Sequence, residues 1–122
     1  MTLIVRRLRN LVKRRSFFCF LKDQNCEVYF LQETYSELSD EIIWRSEWGG
    51  VIFFSHGSTH SKGVCILIHP SFNCASENLQ KDQNGRIVSV DLNPNGSKFS
   101  LCNFYCYYSS TVVRSVEVTN SP

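Results

Sequence analysis

Three sets of polar side chains in this sequence are of types that carry chemistry: a carboxylate, a tyrosine beside an amide, and two histidines. Glu33 follows the apolar run Val28–Leu31, which predicts a buried strand. Ligands of open α/β sheets collect beyond strand ends, where a carboxylate can hold a metal ion or a proton. The same pattern also suits a carboxylate that simply ends a strand in solvent, the commoner case for an isolated carboxylate.

The tyrosine and the histidines are each open to a chemical and a structural interpretation. Asn103 and Tyr105 are two residues apart in an apolar run, so they are expected on one face of a strand. There they can contact a phosphate, or Tyr105 can be half-buried core. His56 and His60 are four residues apart, a zinc-site spacing on a helix. The Gly-Ser-Thr stretch between them favours a polar loop instead.

Positive charge is concentrated before the first acidic residue, Asp23, in the side chains of Arg6, Arg7, Arg9, Lys13, Arg14 and Arg15. This segment suits the solvated face of an amphipathic helix. It also suits a patch that contacts nucleic-acid phosphates, or a mitochondrial transit peptide. Against the transit peptide, the predicted helix leads into the Val28–Leu31 strand without a linker.

Length and composition predict one folded domain, or part of a larger one. The chain has 122 residues, of which 43% are hydrophobic and 13% aromatic, which excludes a disordered chain. The net charge of +2 favours no particular partner. The six cysteines show no CxxC spacing and no secretory signal precedes them, so we expect reduced thiols in an intracellular protein, nuclear or cytoplasmic. No apolar run approaches the roughly 20 residues of a membrane span.

Hydrophobic periodicity predicts about six strands and two helices. The strands are expected at 2–5, 28–31, 51–54, 63–68, 86–92 and 98–107, and the helices at 8–22 and from the Ser39-Asp40-Glu41 cap to Trp48. The first three elements form a βαβ-like opening. The last two strands flank a Pro-Asn-Gly turn and predict a hairpin. Residues 71–83 read as irregular, and no clear period follows Tyr108.

Several of these segments, in this order, resemble motifs of the LINE-type retrotransposon endonucleases, members of the endonuclease/exonuclease/phosphatase superfamily. The matching segments are Val28–Thr34, Ile43–Gly50, Phe53–Gly57, Ser61–Leu67, Gly85–Val88 and Asn103–Tyr105. The resemblance extends from about Arg6 to Tyr108. It implies an α/β fold of the α+β type, a four-layer α/β/β/α sandwich that is incomplete here.

The resemblance also implies a chemistry: Mg²⁺-dependent hydrolysis of a DNA phosphodiester, with the metal acting as a Lewis acid. Glu33 matches the metal-binding glutamate of the family. Tyr105 matches a tyrosine that contacts the scissile phosphate. The implied cofactor is therefore Mg²⁺ and the implied partner is DNA.

Departures from the family pattern are extensive. The family's first-strand asparagine falls on Ile4, and its glycine on Arg7. The Ala-Pro-Asn that follows the tyrosine is replaced by residues 106–108, Cys-Tyr-Tyr. The Asp-x-Asn pair, the later aspartate and the terminal Asp-His of the second half have no match among these 122 residues.

We therefore interpret residues 1–108 as the N-terminal half of such a domain and residues 109–122 as a divergent, disordered tail. The half domain is expected to expose the inner face of a sheet and so to self-associate. DNA cleavage by this chain is expected to be very slow or absent. The alternatives are a non-catalytic nucleic-acid-binding fragment that uses the basic N-terminal helix, and a phosphatase of the same superfamily.

Overall fold

The computed structural model describes residues 1–57, 62–72 and 74–105, together with the backbone of a strand at 112–119. These residues form two helices and eight strands. The helices are α1 (Leu11–Lys22) and α2 (Glu41–Trp48). The strands are β1 (Thr2–Ile4), β2 (Val28–Gln32), β3 (Ile52–Ser55), β4 (Val64–Ile68), β5 (Ala75–Lys81), β6 (Ile87–Asn93), β7 (Lys98–Tyr105) and β8 (Val112–Thr119).

The strands form two four-stranded sheets, which we call the first and the second sheet. The first has the order β1-β2-β4-β3, with β1 and β2 parallel and the other pairs antiparallel. The second has the order β5-β6-β7-β8 and is antiparallel throughout. The predicted βαβ-like opening and the β6–β7 hairpin are thus both confirmed.

Two hydrophobic cores give the molecule its layers. One lies between the helices and the outer face of the first sheet; its largest fully buried side chains are Phe18, Tyr29, Trp44 and Trp48. The other lies between the two sheets and includes Phe30 and Ile66 of the first sheet and Val88 and Leu101 of the second. The described residues therefore build helix, sheet and sheet layers, which confirms the predicted mixed α/β fold as an incomplete sandwich.

The start of α1 differs from the prediction by three residues. The sequence places it at Leu8, but the helix begins at Leu11, because Asn10 is the N-cap and its side chain accepts a 2.9 Å hydrogen bond from the Lys13 N–H. Arg6 and Arg7 before it have φ angles of +48° and +76°, which no helix tolerates. The sequence assigns Leu8 to the helix because it is apolar and at helical spacing. In the structure it is a buried residue of the loop before α1.

Strand β5 lies where the sequence predicts an irregular segment, so that prediction is wrong. All seven residues of β5 are exposed, so its sequence shows no apolar alternation that would predict a strand. The strand lies at the sheet edge and pairs only with β6. Strand β8 lies within the stretch predicted as a disordered tail. Residues 109–111 and 120–122 of that stretch lie outside the described residues.

The prediction for α2 is confirmed, including its end at Gly49, whose φ of +77° suits glycine. Among the described residues no helix is long and apolar enough to cross a membrane. The inner faces of the two sheets cover each other. The exposed inner face on which the expected self-association depends is therefore not found in the described part of the chain, and self-association stays a prediction.

One buried polar contact joins the two sheets. Gln32 of the first sheet and Asn103 of the second are both fully buried, and Gln32 Nε2 donates to Asn103 Oδ1 over 2.8 Å. Asn103 Nδ2 in turn donates to the Leu31 and Cys65 carbonyls over 3.0 and 2.9 Å. Asn103 thereby binds two strands of the opposite sheet, and we call these contacts the amide bridge.

The amide bridge predicts a large stability cost for Asn103→Ala. The variant leaves the Gln32 amide and two strand carbonyls without this partner in a dry core, which should lower the free energy of unfolding by about 2–4 kcal/mol. Urea unfolding followed by circular dichroism measures it. Gln80→Ala, which removes an amide from the exposed strand β5, is the matched control and should change stability by less than about 0.5 kcal/mol. Equal effects for the two variants would contradict a structural role for the bridge.

Candidate functional site

A polar cavity of about 430 Å³ opens where β2 and β7 end. The residues that line it are Ile4, Arg6, Arg7, Glu33, Tyr35, Lys62 and Tyr105. They come from the ends of two strands, β1 and β7, and from the loops that follow β1 and β2 or precede β4. The structure thus brings together Glu33 and Tyr105, which the sequence singled out 72 positions apart. We call this space the Glu33 cavity.

Several residues that line the cavity have a strained backbone with positive φ angles. Six non-glycine residues in the described chain have positive φ angles, and four of them line the cavity: Arg6, Arg7, Glu33 and Tyr35. Such conformations cost about 1–3 kcal/mol each and persist only where surrounding contacts impose them. Here the Arg7 N–H donates to the Glu33 carbonyl over 2.7 Å, and the Tyr35 N–H donates to the Lys62 carbonyl over 2.7 Å.

The Glu33 carboxylate is paired with Lys62 and shares the cavity with two arginines. Lys62 Nζ lies 3.2 Å from Glu33 Oε1. This hydrogen bond and the charge of Glu33, with smaller contributions from Tyr105, raise the pKa of the Lys62 ammonium above its usual value. The Arg7 guanidinium lies 4.7 Å from the centre of the Tyr35 ring, a cation–π distance. The cavity therefore contains three cations and one carboxylate.

These residues do not fit the Mg²⁺ ion that the resemblance implies. Magnesium prefers one or two carboxylates completed by waters and substrate phosphates in an octahedron of oxygens. Glu33 is the one carboxylate of the lining and is already paired with Lys62. The described residues contain no group of three or more His, Cys, Asp or Glu side chains that could hold a metal. Glu33 as a metal ligand remains a prediction that this donor set does not support.

Tyr105 is a core residue that also borders the cavity, and its contact with a phosphate stays a prediction. Its side chain is only 5% exposed and belongs to the core between the sheets, yet it also lines the cavity. Asn103 lies on the same face of β7, as expected from their spacing. The Asn103 amide is taken up by the amide bridge and does not line the cavity.

The six basic residues of the N-terminal segment have different environments. Arg6 and Arg7 line the Glu33 cavity. Lys13 donates to the carbonyls of Val5 and Arg6, so it stabilises the turn that carries them. Arg9 forms ion pairs with Glu37 and Asp40. Of these four residues only Arg6 and Arg7 line the cavity, and phosphate contacts by the basic segment stay a prediction.

The remaining two, Arg14 and Arg15, both bind Glu47 of α2. Arg14 is 5% exposed, and its Nε lies 2.6 Å from Glu47 Oε1. Arg14 Nη1 also donates to the carbonyls of Leu8 and Arg9. This buried ion pair joins α1, α2 and the loop before α1. The sequence pattern placed Arg14 on a solvated face because helical periodicity does not show which arginine meets a buried acid.

A second polar cluster, Ser36, Glu41 and His56, was missed by sequence reasoning. His56 Nε2 lies 2.6 Å from Glu41 Oε2, and His56 Nδ1 lies 2.8 Å from Ser36 Oγ. The ring also stacks on Phe54. His56 thus fixes the loop after Glu33 to the start of α2, and His60, its predicted companion, lies outside the described residues. The only sequence signal was a histidine directly after an apolar strand.

The chain is similar to one curated protein that bears on its origin. It is 31% identical over 97 residues to the uncharacterized 149 kDa protein of transposon TX1 from Xenopus laevis, an alignment that covers 80% of the chain. The chain spans only 7% of the length of that relative. No protein-family profile matches the chain. The similarity connects this sequence with a transposon protein.

The Arg14–Glu47 pair predicts that two adjacent arginines differ in importance. Arg14→Ala removes the buried partner of Glu47 and should lower the free energy of unfolding by about 3 kcal/mol. Arg15→Ala removes an exposed partner of the same carboxylate and should cost at most about 1 kcal/mol. Chemical denaturation of both variants measures the difference. A cost for Arg15→Ala as large as that for Arg14→Ala would refute the assignment.

Two half-buried carboxylates, Glu41 and Glu47, predict the acid sensitivity of the fold. Burial raises the pKa of Glu41 and Glu47, but hydrogen bonds from His56 and Arg45 to Glu41, and from Arg14 and Arg15 to Glu47, outweigh it and hold both pKa values below the usual 4.5. Because the folded pKa is depressed, this stabilisation is present above the unfolded value and is lost as pH falls through the folded value.

We therefore expect the free energy of unfolding to decrease as pH is lowered from about 5 to about 3. Urea denaturation at a series of pH values measures this slope. Glu41→Gln and Glu47→Gln should each flatten it, whereas Glu77→Gln, on the exposed strand β5, should leave it unchanged. A slope unaffected by the first two substitutions would show that other groups control acid unfolding.

Proposed function

We propose that this chain derives from the N-terminal half of the endonuclease domain of a LINE-type retrotransposon and that the Glu33 cavity is its inherited site for a DNA phosphodiester. Three observations support the proposal. The ordered motifs resemble that family, the alignment with a transposon protein covers 80% of the chain, and the fold is an incomplete sandwich of two sheets with helices outside.

The observation that carries the proposal is the meeting of Glu33 and Tyr105. The resemblance assigns one to the metal and the other to the scissile phosphate, and the two side chains line one cavity although they belong to different sheets. DNA is therefore the partner that we propose.

The same cavity argues against efficient cleavage by these 122 residues. Catalysis of phosphodiester hydrolysis needs groups that stabilise the developing charge and move a proton, and removing one such group typically lowers the rate about 10²–10³-fold. The second-half motifs that supply them in the family have no match here, and the lining has one carboxylate, already paired with Lys62. The proposed activity of the chain by itself is DNA binding with very slow nicking or none.

A plasmid-nicking assay tests the proposed activity. In the presence of Mg²⁺, conversion of supercoiled plasmid to the nicked form by the chain should stay within about tenfold of the protein-free rate. Glu33→Ala and the matched exposed variant Glu37→Ala should behave like the parent. Robust nicking that Glu33→Ala abolishes and Glu37→Ala preserves would refute the proposal of an inactive half site. Hydrolysis of small phosphoesters without nicking would favour a phosphatase instead.

A further inference from the structure

We propose that the Glu33 cavity binds a phosphate group of nucleic acid without a divalent metal ion, with Arg6, Arg7 and Lys62 supplying the positive charge. The inference rests on the proposed function for the nature of the ligand. It adds which side chains hold the phosphate and that binding requires no divalent metal ion.

The charge of the lining is the first argument. Three cationic side chains and one carboxylate surround the cavity, so two positive charges are left when Lys62 and Glu33 are paired. A divalent cation placed beside Glu33 would share the cavity with these like charges, whereas a phosphate would be attracted by them. The balance of charge alone therefore selects an anion over a metal ion.

The availability of the arginines is the second argument. Among the described residues no carboxylate forms an ion pair with Arg6 or Arg7, whereas Arg9, Arg14 and Arg15 are all paired with acids. Arg6 and Arg7 are exposed and both line the cavity. Two guanidinium groups without acidic partners at one cavity supply the planar donors that bind phosphate oxygens in pairs.

Preorganisation is the third argument. The Arg7 guanidinium lies 4.7 Å from the centre of the Tyr35 ring. The Arg7 N–H donates to the Glu33 carbonyl, and the Lys13 ammonium donates to the Arg6 carbonyl. Lys62 is held by Glu33 and Tyr105. Donors fixed before the ligand arrives lose less entropy on binding than free surface lysines and arginines. The positive φ angles of Arg6 and Arg7 show that these contacts hold the turn in a conformation it would not adopt by itself.

The role of Glu33 follows from this arrangement. In a metal site the carboxylate is the ligand that cannot be lost. In a metal-free phosphate site it orients Lys62 and competes with the phosphate for that ammonium. Substitution of Glu33 by its neutral isostere thus has opposite consequences in the two cases, which makes it the most discriminating variant.

Fluorescence anisotropy with labelled oligonucleotides tests the inference. At fixed ionic strength, the affinity in EDTA should equal the affinity in Mg²⁺ to within about twofold. Arg7→Gln and Lys62→Gln should each weaken binding about tenfold, as expected for the loss of one charge-assisted contact. Each should also reduce the slope of log affinity against log salt by about 0.7–0.9. Arg15→Gln, the matched control on the exposed face of α1, should stay within twofold of the parent.

Glu33→Gln should bind the oligonucleotide in EDTA at least as tightly as the parent. Loss of binding in that variant, or binding that requires Mg²⁺, would overturn the inference while leaving DNA as the ligand, so the proposed function would survive. Absence of binding to every oligonucleotide under both conditions would overturn both. Circular dichroism of each variant separates loss of contacts from loss of fold.

Two further probes identify the source of the phosphate. An oligonucleotide with a 5′-phosphate is compared with the same oligonucleotide ending in a 5′-hydroxyl. Equal affinities would assign the site to backbone phosphodiesters, and a preference for the phosphorylated form would assign it to a terminal phosphate; both support metal-free binding. Inorganic phosphate in EDTA should compete with either probe. Failure of phosphate at high concentration to displace the probe, at constant ionic strength, would contradict a phosphate site.

Discussion

The amide bridge between Gln32 and Asn103 is the contact on which the geometry of the Glu33 cavity depends. It fixes β2 against β7 immediately before both strands end, and the next residues are Glu33 on one side and Tyr105, two positions along, on the other. Apolar packing alone allows two sheets to slide by small amounts, because it has little directional preference. A buried hydrogen bond with fixed donors and acceptors removes that freedom. The distance between the strand ends that carry Glu33 and Tyr105 is therefore set by a contact inside the core.

Contacts outside the Glu33 cavity hold its strained backbone and its charged side chains in place. Residues of the cavity lining hold unfavourable backbone angles, and such angles persist only when the surroundings over-determine them. The loop that carries Arg6 and Arg7 is held at one end by the pairing of β1 with β2 and at the other by Arg14, which donates to the Leu8 and Arg9 carbonyls while paired with Glu47. In the loop that follows Glu33, Ser36 is hydrogen-bonded to His56, which also binds Glu41 at the start of α2. Residues far from the cavity thus position its donors.

Much of the fold could be predicted from the sequence, and the exceptions have physical causes. Apolar runs such as Val64–Ile68 and the Gly49 helix end carry local signals, and both are found where expected. Strand β5 carries no such signal, because its residues face solvent on both sides and its identity comes only from pairing with β6. The sequence singled out Glu33 and Tyr105 of the cavity lining, but it did not predict the net positive charge of that lining. Lys62 and Arg7 reach Glu33 through long-range packing, which spacing in the sequence does not show.

The fold and the chemistry of the Glu33 cavity depend on different numbers of residues. Sheet pairing and the two cores depend on many residues, so they tolerate substitution at a few loop positions. The chemistry of a site depends on a handful of side chains, and here the apolar Ile4 and the cationic Arg7 line the cavity together with Glu33. Ile4 offers no ligand to a cation, and Arg7 adds a donor for an anion. A lining of this composition favours an anion over a cation, since the two ligands differ in the sign of their charge.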